Sequence, residues 1–500
     1  MSKVLTSLGV EFYIGSGYSE PTKRIPQVIE TSEMDLDPDA IDVTSFDNEH
    51  YKSSTSGLID TSGIQYLTVN ATKFSDAEKI WNKAAESHDC WLKIKIPDKE
   101  ENTYIPIIPI KTSAYNLSVN DRITNRLKFT IAGDFQFDTL LEKEEKMKIY
   151  GVRGMGSVNP EDLSREDDAV GLSCEVGISE IRSDFDNCYP WNKIREVKDK
   201  FGNSFVRIPK FYSKVSFDYR GYFSYQISGY PHEGFSTLFV DGKGNEIDYV
   251  LVGKYESSGT SQKVESKSGK EVLSNFTIGD MRNACRSNGE GYQQYDFLID
   301  NIIRQLFTVE FATTNSQSIM AGITNSDTYS QCLITGQTDP VKTASGSWKK
   351  GNPVLSSNYN LDGLHACKYR GIENPWGNFY KFCDGISFSG GKAYICLDPT
   401  EYADEKHESP YMLAGSIASE GGYNTQMEPF ENFPLLAYCS EVHGDEYSYF
   451  CDYYYDGGST LSIGGSWDED GLAGIWCFNG SNDSNYSSEN FCSRLCYKPI

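Results

Sequence analysis

Residues 369–378 read Tyr-Arg-Gly-Ile-Glu-Asn-Pro-Trp-Gly-Asn, and residues 464–467 read Gly-Gly-Ser-Trp. In the first string Gly371, Pro375 and Gly377 impose a tight, non-helical path while Trp376 supplies a large apolar anchor. In the second, two glycines allow close backbone approach before Trp467 buries or presents its indole. Such strings build a core from loops and short strands, without long helices. Arg494, in the closing Ser493-Arg494-Leu495, carries five N–H donors that can tie the last strand back onto the fold. Trp376, Trp467 and Arg494 are therefore expected as structural anchors.

Outward from these anchors the chain keeps one character from about Glu175 to Ile500: short strands, turn residues and many Tyr, Asn, Ser and Gly. One helical period interrupts it at Tyr295–Phe307. Upstream, residues 1–140 are β-rich. Val4–Ile14, Ile41–Thr44, Gly63–Val69, Trp91–Ile96, Tyr104–Ile110 and Leu127–Phe137 are β-branched and aromatic runs cut by turn residues. The set Ser75-Asp76-Ala77-Glu78 reads as a capping box opening one amphipathic helix up to about Ser87. Residues 141–175 change to mixed charge around Gly151, Gly154 and Gly156 and read as a charged linker. The expected division is a β unit over 1–140, a linker over 141–175 and a second domain over 176–500. The fold class is mainly β with minor α.

Length and charge narrow the functions. Five hundred residues exceed one core and suggest two to four units at roughly 150 residues each. The net charge of −25 has the wrong sign for tight nucleic-acid binding, which relies on cations displacing counterions. The acidity is steepest in residues 381–500, where 19 acidic residues face 5 basic ones. No apolar run approaches the roughly 18 residues of a membrane span, and no signal peptide opens the chain. Thirteen cysteines lack paired zinc spacing and read as buried, reduced thiols. The six histidines, His50, His88, His232, His365, His407 and His443, sit beside no nucleophile elbow or i, i+4 metal pair. Asp468-Glu469-Asp470 lacks a ligand-spaced loop and reads as a solvated turn. No cofactor and no metal are expected.

The order of features in residues 1–140 resembles the phage tail tube protein family: Gly9–Ile14, then Ile25–Ile29, the acidic approach Glu33–Asp39, Ile41–Asp47, the loop Lys52–Gly57 and Leu127–Phe137. The resemblance implies a β-sandwich with one flanking helix, assembled into stacked hexameric rings around a DNA channel. Neighbouring subunits would close the sheet edges, and a lumen lined by carboxylates, with Glu33, Asp35, Asp37 and Asp39 as candidates, would let DNA slide without binding tightly.

From Ser183 onward the chain resembles the C-type-lectin-fold domains of phage tail and fibre proteins, related in fold to formylglycine-generating enzymes and to retroelement-diversified receptor-binding proteins. The strings are Asp184–Asn187, Tyr189-Pro190-Trp191, Phe205–Tyr212, Val252–Glu256, Asn315-Ser316-Gln317, Tyr369–Asn378, Asp384-Gly385, Gly464–Trp467 and Ser493–Leu495. The resemblance implies an α+β domain whose ligand contacts lie between Gly-Gly-Ser-Trp and the last strand. On these grounds Trp476, Phe478, Asn479, Asn482, Asp483 and Tyr486 are candidate ligand-binding residues, joined by Tyr453, Tyr454 and Tyr455. Dense Tyr, Trp, Ser and Asn suits a recognition surface. The same composition, with Cys439, Cys451, Cys477, Cys492 and Cys496, is what adenine-directed diversification of codons would produce. Catalysis is not expected: a nucleophilic thiolate needs a basic neighbour, and Asp468–Asn490 contains no Lys, Arg or His.

The expectation is a virion structural protein, a major tail tube subunit with an outward lectin-like domain binding host or environmental surface ligands. Its partners would be itself in hexameric rings, other tail proteins, DNA passing through the lumen, and a host-surface glycan or protein, with no membrane insertion. It would be located in the virion tail and assembled in the host cytoplasm. The alternative is a baseplate or tail-fibre receptor-binding protein with the N-terminal unit as adaptor.

Overall fold

The computed structural model describes residues 10–16, 23–26, 28–31, 65–70, 74–86, 90–95, 102–111, 124–131, 136–138, 145–328, 331–348, 358–443 and 453–499. The chain is mainly β and divides into two units, Met1–Glu144 and Glu145–Ile500.

In the first unit the strands are β1 (Glu11–Ser16), β2 (Lys23–Ile25), β3 (Val28–Thr31), β4 (Gln65–Asn70), β5 (Cys90–Lys95), β6 (Asn102–Ile110), β7 (Thr124–Ile131) and β8 (Gln136–Asp138), with one helix, α1 (Phe74–Ala84). They form a single eight-stranded sheet in the order β2-β1-β5-β6-β7-β4-β3, with β8 on β6. Period-two alternation sends Phe12 and Ile14, Leu67 and Val69, Leu92 and Ile94, Ile105 and Ile107, and Leu127 and Phe129 into one core. Helix α1 adds Ala77, Trp81 and Ala84 to it. Trp81 lies 6.0 Å from the Phe129 ring, and its Nε1 donates to the Ile110 carbonyl at 3.1 Å.

The connectivity bends this sheet. β2 and β3 are the two ends of the strand order, yet only Pro26 and Gln27 separate them in sequence. Three Cα steps reach at most about 11 Å, so the sheet curls until its edges meet around α1. The edge strands are also short, at 3 and 4 residues, which is one way proteins blunt an edge. The connection therefore brings the two ends of the strand order close together, while no hydrogen-bonded pairing joins β2 to β3 among the described residues.

The expected linker at 141–175 is corrected. Ile149–Met155 and Ser164–Asp167 are paired strands of a four-stranded sheet with Tyr212–Phe217 and Phe223–Ser228. Its mixed charge marks an amphipathic strand: Tyr150 and Val152 are buried while Arg153 is exposed. Ile41–Thr44, Glu33, Asp35, Asp37 and Asp39 lie outside the described residues.

In the second unit the helices are α2 (Ile278–Arg286) and α3 (Phe297–Phe311). All fifteen residues of α3 are buried, the polar Asp300, Asn301, Arg304, Gln305, Thr308 and Glu310 included. Asp296 caps its start by accepting from the Ile299 N–H at 2.8 Å. Around it lie the four-stranded sheet, a seven-stranded sheet built mainly from residues 422–482, and two five-stranded sheets. In one of these the last strand, Leu495–Tyr497, is inserted between Tyr249–Gly253 and Tyr292–Gln294.

Replacing Trp81 with Ala removes the ring that the curled sheet closes on. The expected loss is about 3–5 kcal/mol in the N-terminal unit. Hydrogen exchange of residues 65–70 and 124–131 under increasing denaturant checks it.

Candidate functional site

Three loops of the second unit, residues 267–275, 331–338 and 483–490, enclose a cleft of about 500 Å³. Thr335 ties the first two together. Its N–H donates to the Lys270 carbonyl at 3.0 Å and its hydroxyl to the Lys267 carbonyl at 2.7 Å, while Lys270 N–H returns a bond to the hydroxyl at 2.9 Å. The third loop joins through Asn275 N–H to the Ser488 carbonyl at 3.0 Å and Tyr380 N–H to the Asn490 carbonyl at 2.9 Å. The Trp467 indole donates to Asn490 Oδ1 at 3.1 Å.

The loop at 331–338 is pinned at both ends by buried polar side chains. Asn378 accepts from Leu333 N–H at 2.7 Å and donates to its carbonyl at 3.1 Å, imitating a strand partner. Asn378 is held in turn by Glu256, which accepts from its Nδ2 at 2.6 Å, takes a second bond from Asn374 at 3.1 Å and lies 3.3 Å from Lys381. Asn378 sits at φ +63°, where an Asn is tolerated better than most residues. At the other end Glu373 accepts from Gly336 N–H at 2.7 Å, Thr338 N–H at 2.8 Å and the Thr338 hydroxyl at 2.7 Å. Burial pushes Glu373 up to about 7, against the hydrogen bonds that favour its charge and with help from nearby Glu256.

The lining mixes polar and apolar side chains. Glu271, Ser274, Asn275, Gln331, Glu489 and Asn490 supply carboxylates, a hydroxyl and amides, and Val272, Leu333, Ile334 and Phe379 supply the apolar part. Cys332 also faces the cleft; its Sγ donates to the Asn378 carbonyl at 3.0 Å, and burial raises its thiol pKa. Beyond the cleft, residues 483–486 form a turn in which Tyr486 N–H donates to the Asp483 carbonyl at 3.0 Å. Glu405 fixes that turn by accepting from Ser484 N–H at 3.1 Å and its hydroxyl at 2.8 Å, bonds that lower the Glu405 pKa.

The candidate residues divide sharply. Asp483 and Tyr486 are exposed and Asn482 half-buried, and none of the three lines the cleft. Trp476, Phe478 and Tyr454 are a correction: they are buried core residues, with Phe478 and Tyr454 packed around Tyr438 and Trp476 against Arg304 of α3. Tyr454 and Phe478 are partners on adjacent parallel strands and Trp476 lies in the turn before Phe478, and their aromatic mass fills the core. Asn479 is also buried; its Oδ1 accepts from the Ser481 hydroxyl at 2.7 Å and thereby shapes the strand end. Tyr453 and Tyr455 belong to a three-residue strand with Tyr454; their side chains lie outside the described residues.

The anchors occupy structural positions. Trp376 is fully buried, 5.4 Å from the Phe307 ring, and donates to the Met320 carbonyl at 2.8 Å. Arg494 donates to the carbonyls of Gly253, Lys254, Glu373 and Asn374. Asp470 accepts from Ser326 N–H at 3.1 Å and its hydroxyl at 2.9 Å, a turn-fixing role. Sequence reading missed Glu271, Asn275, Gln331 and Cys332, which come from loops distant in sequence. Glu489 and Asn490 lay inside the highlighted segment but lack aromatic character.

No family model matches the chain, and no curated protein matches it. Among solved structures the chain is similar to one titled "Major Tropism Determinant U1 Variant", at 8% identity and a TM-score of 0.23, over 70% of this chain and 72% of that one. A superposition that loose carries no residue correspondence.

Two measurements check the loop architecture. Asn378→Ala strands the Leu333 N–H and loosens Glu256, so the Leu333 amide should lose exchange protection and the unit about 2–3 kcal/mol. For Glu373, the fold favours the protonated form, because its folded value of about 7 lies above the ordinary 4.5. Its stabilisation is present below that ordinary value and is lost as pH rises to about 7, by up to about 3 kcal/mol. The difference in unfolding free energy between the native chain and Glu373→Gln, followed across pH 4–8, should show this slope and flatten above pH 7.

Proposed function

We propose that the chain is a ligand-binding structural protein of a bacteriophage tail, whose second unit recognises a molecule outside the particle. One observation carries the reading: the side chains of Glu271, Ser274, Asn275, Gln331 and Glu489 have no hydrogen-bond partner among the described residues, yet the backbone of each loop that presents them is locked. Side chains left open on fixed loops bind without a large ordering cost. Tyr486 and Asp483, exposed in the turn that precedes Glu489 and Asn490, add a rigid ring and an adaptable polar group.

Binding is favoured over catalysis by the thiols. Cys332 faces the cleft as a thiol whose pKa is raised by burial, and burial likewise raises the pKa of Cys492. A nucleophilic cysteine needs the opposite shift. Cys477 is fully buried.

Within that reading, the first unit is either a tube subunit, building hexameric rings with DNA in the lumen, or an adaptor that attaches the binding unit to a baseplate or fibre. The residue strings 9–14 and 25–29 support the tube. The curled sheet, whose two short end strands follow each other directly in sequence, supports an adaptor.

Negative-stain imaging of the concentrated, purified chain separates the two: hollow, knobbed cylinders are the expected product of a tube subunit, and discrete particles of an adaptor. Pull-down of the full chain on intact bacteria tests the binding reading. Tyr486→Ala, which alters an exposed ring, should weaken retention about tenfold at a binding hot spot.

A further inference from the structure

The cleft is more selective than a general adhesive patch. None of its lining residues is Lys, Arg or His, while two, Glu271 and Glu489, are carboxylates. An anionic ligand would meet two lining carboxylates and no cation in the lining itself, which favours neutral or positively charged groups. The remaining polar lining groups, Ser274, Asn275, Gln331, Gln337 and Asn490, both donate and accept hydrogen bonds. That mixture suits hydroxyls, each of which also donates and accepts. Alongside the polar groups, Val272, Leu333 and Ile334 form an apolar strip, with Ile334 39% exposed. A ligand matching both parts has a polyhydroxylated edge and an apolar face. The volume of about 500 Å³ falls in the range of small-molecule sites, about 300–1,000 Å³.

We propose that this cleft binds a neutral or amine-bearing saccharide, its hydroxyls bonded by Asn275, Gln331, Glu271 and Glu489 and its C–H face laid on Val272, Leu333 and Ile334. The inference rests on the reading of the cleft as the ligand-binding face. The two carboxylates select against sialylated and phosphorylated glycans and strengthen the hold on an amino sugar. Buried Asn378 and Glu373 position the 331–338 loop beneath it without touching the ligand.

The test uses the full chain with chitobiose, lactose, glucosamine disaccharide and sialyllactose, by calorimetry and by pull-down on intact bacteria. Expected results are measurable binding of the neutral or amino disaccharides and at least tenfold weaker binding of sialyllactose. Gln331→Ala/Glu489→Ala alters two exposed side chains without partners among the described residues and should weaken saccharide binding at least tenfold with an unchanged melting temperature. Ser274→Trp, which fills the cleft, should abolish it. Sialyllactose binding as tightly as lactose overturns the ligand class. Binding to bacteria that Ser274→Trp removes, without affinity for any of the four saccharides, overturns the saccharide inference and leaves the cleft reading standing. Binding to bacteria that Ser274→Trp leaves unchanged overturns both.

Discussion

The second unit depends on a charged residue held where no water reaches. Arg304 of α3 is fully buried, paired with Asp300 one turn earlier, donating to the Ile475 carbonyl at 3.0 Å and lying 4.2 Å from the Phe478 ring. A buried guanidinium is costly unless its charge is paired; Asp300 pairs the charge and the Ile475 carbonyl takes the Nε–H, while Nη1 has no hydrogen-bond partner among the described residues. That requirement fixes which way α3 is rotated and which strand crosses it. Nearby polar residues repeat the device. Gln305 accepts from the Ser213 hydroxyl at 2.6 Å and donates to the Leu435 carbonyl at 2.9 Å, Asn301 accepts from Ala437 N–H at 3.0 Å, and Glu310 pairs with Arg370. Hydrophobic burial would accept many rotations of this helix. Its polar residues accept few, because each must meet one particular strand.

The same logic reaches the cleft through the end of the chain. Arg494 gathers the carbonyls of 253–254 and 373–374 onto the last strand. Those carbonyls flank Glu256 and Glu373, the two carboxylates that pin the 331–338 loop. Backbone conformation at 373–378 is thereby settled before any side chain of the cleft is considered. The site is rigid because it hangs from a buried polar network, in which every unmade bond is costly.

What the sequence revealed follows from where each signal is local. Trp376, Trp467 and Arg494 were legible because glycines and a proline constrain the chain around two of them and the last strand must be secured. The helix at Tyr295–Phe307 was legible from its period and proves to run over Phe297–Phe311. The linker over 141–175 misled because an amphipathic edge strand and a solvated linker share a charged composition. Trp476, Phe478 and Tyr454 misled for a related reason: aromatic density marks a recognition surface and a core equally well, and only the helix opposite decides between them. The cleft itself was hidden. Its walls are more than 200 residues apart in sequence, between Glu271 and Glu489, and no local pattern announces that such loops meet.

Charge distribution sharpens the account of the first unit. Although residues 1–140 carry more acid than base, the face of the curled sheet opposite its core presents Lys93, Lys95, Arg126 and Lys128, at strand positions alternating with the buried Leu92, Ile94, Leu127 and Phe129, together with Arg24, which is ion-paired with Glu11 at 2.9 Å on the same face. Two of these cations lie over tyrosines, Lys93 5.8 Å from the Tyr13 ring and Arg126 4.1 Å from Tyr66. A surface of this kind attracts phosphate and would slow a sliding polyanion rather than release it. If the unit builds a tube, this face must turn away from the lumen, and the carboxylates that line the channel must come from elsewhere in the chain. In an adaptor the constraint disappears, and the cationic face is free to meet an acidic neighbour. The side of the sheet that faces water, rather than the sum of the charges, is what discriminates the two architectures.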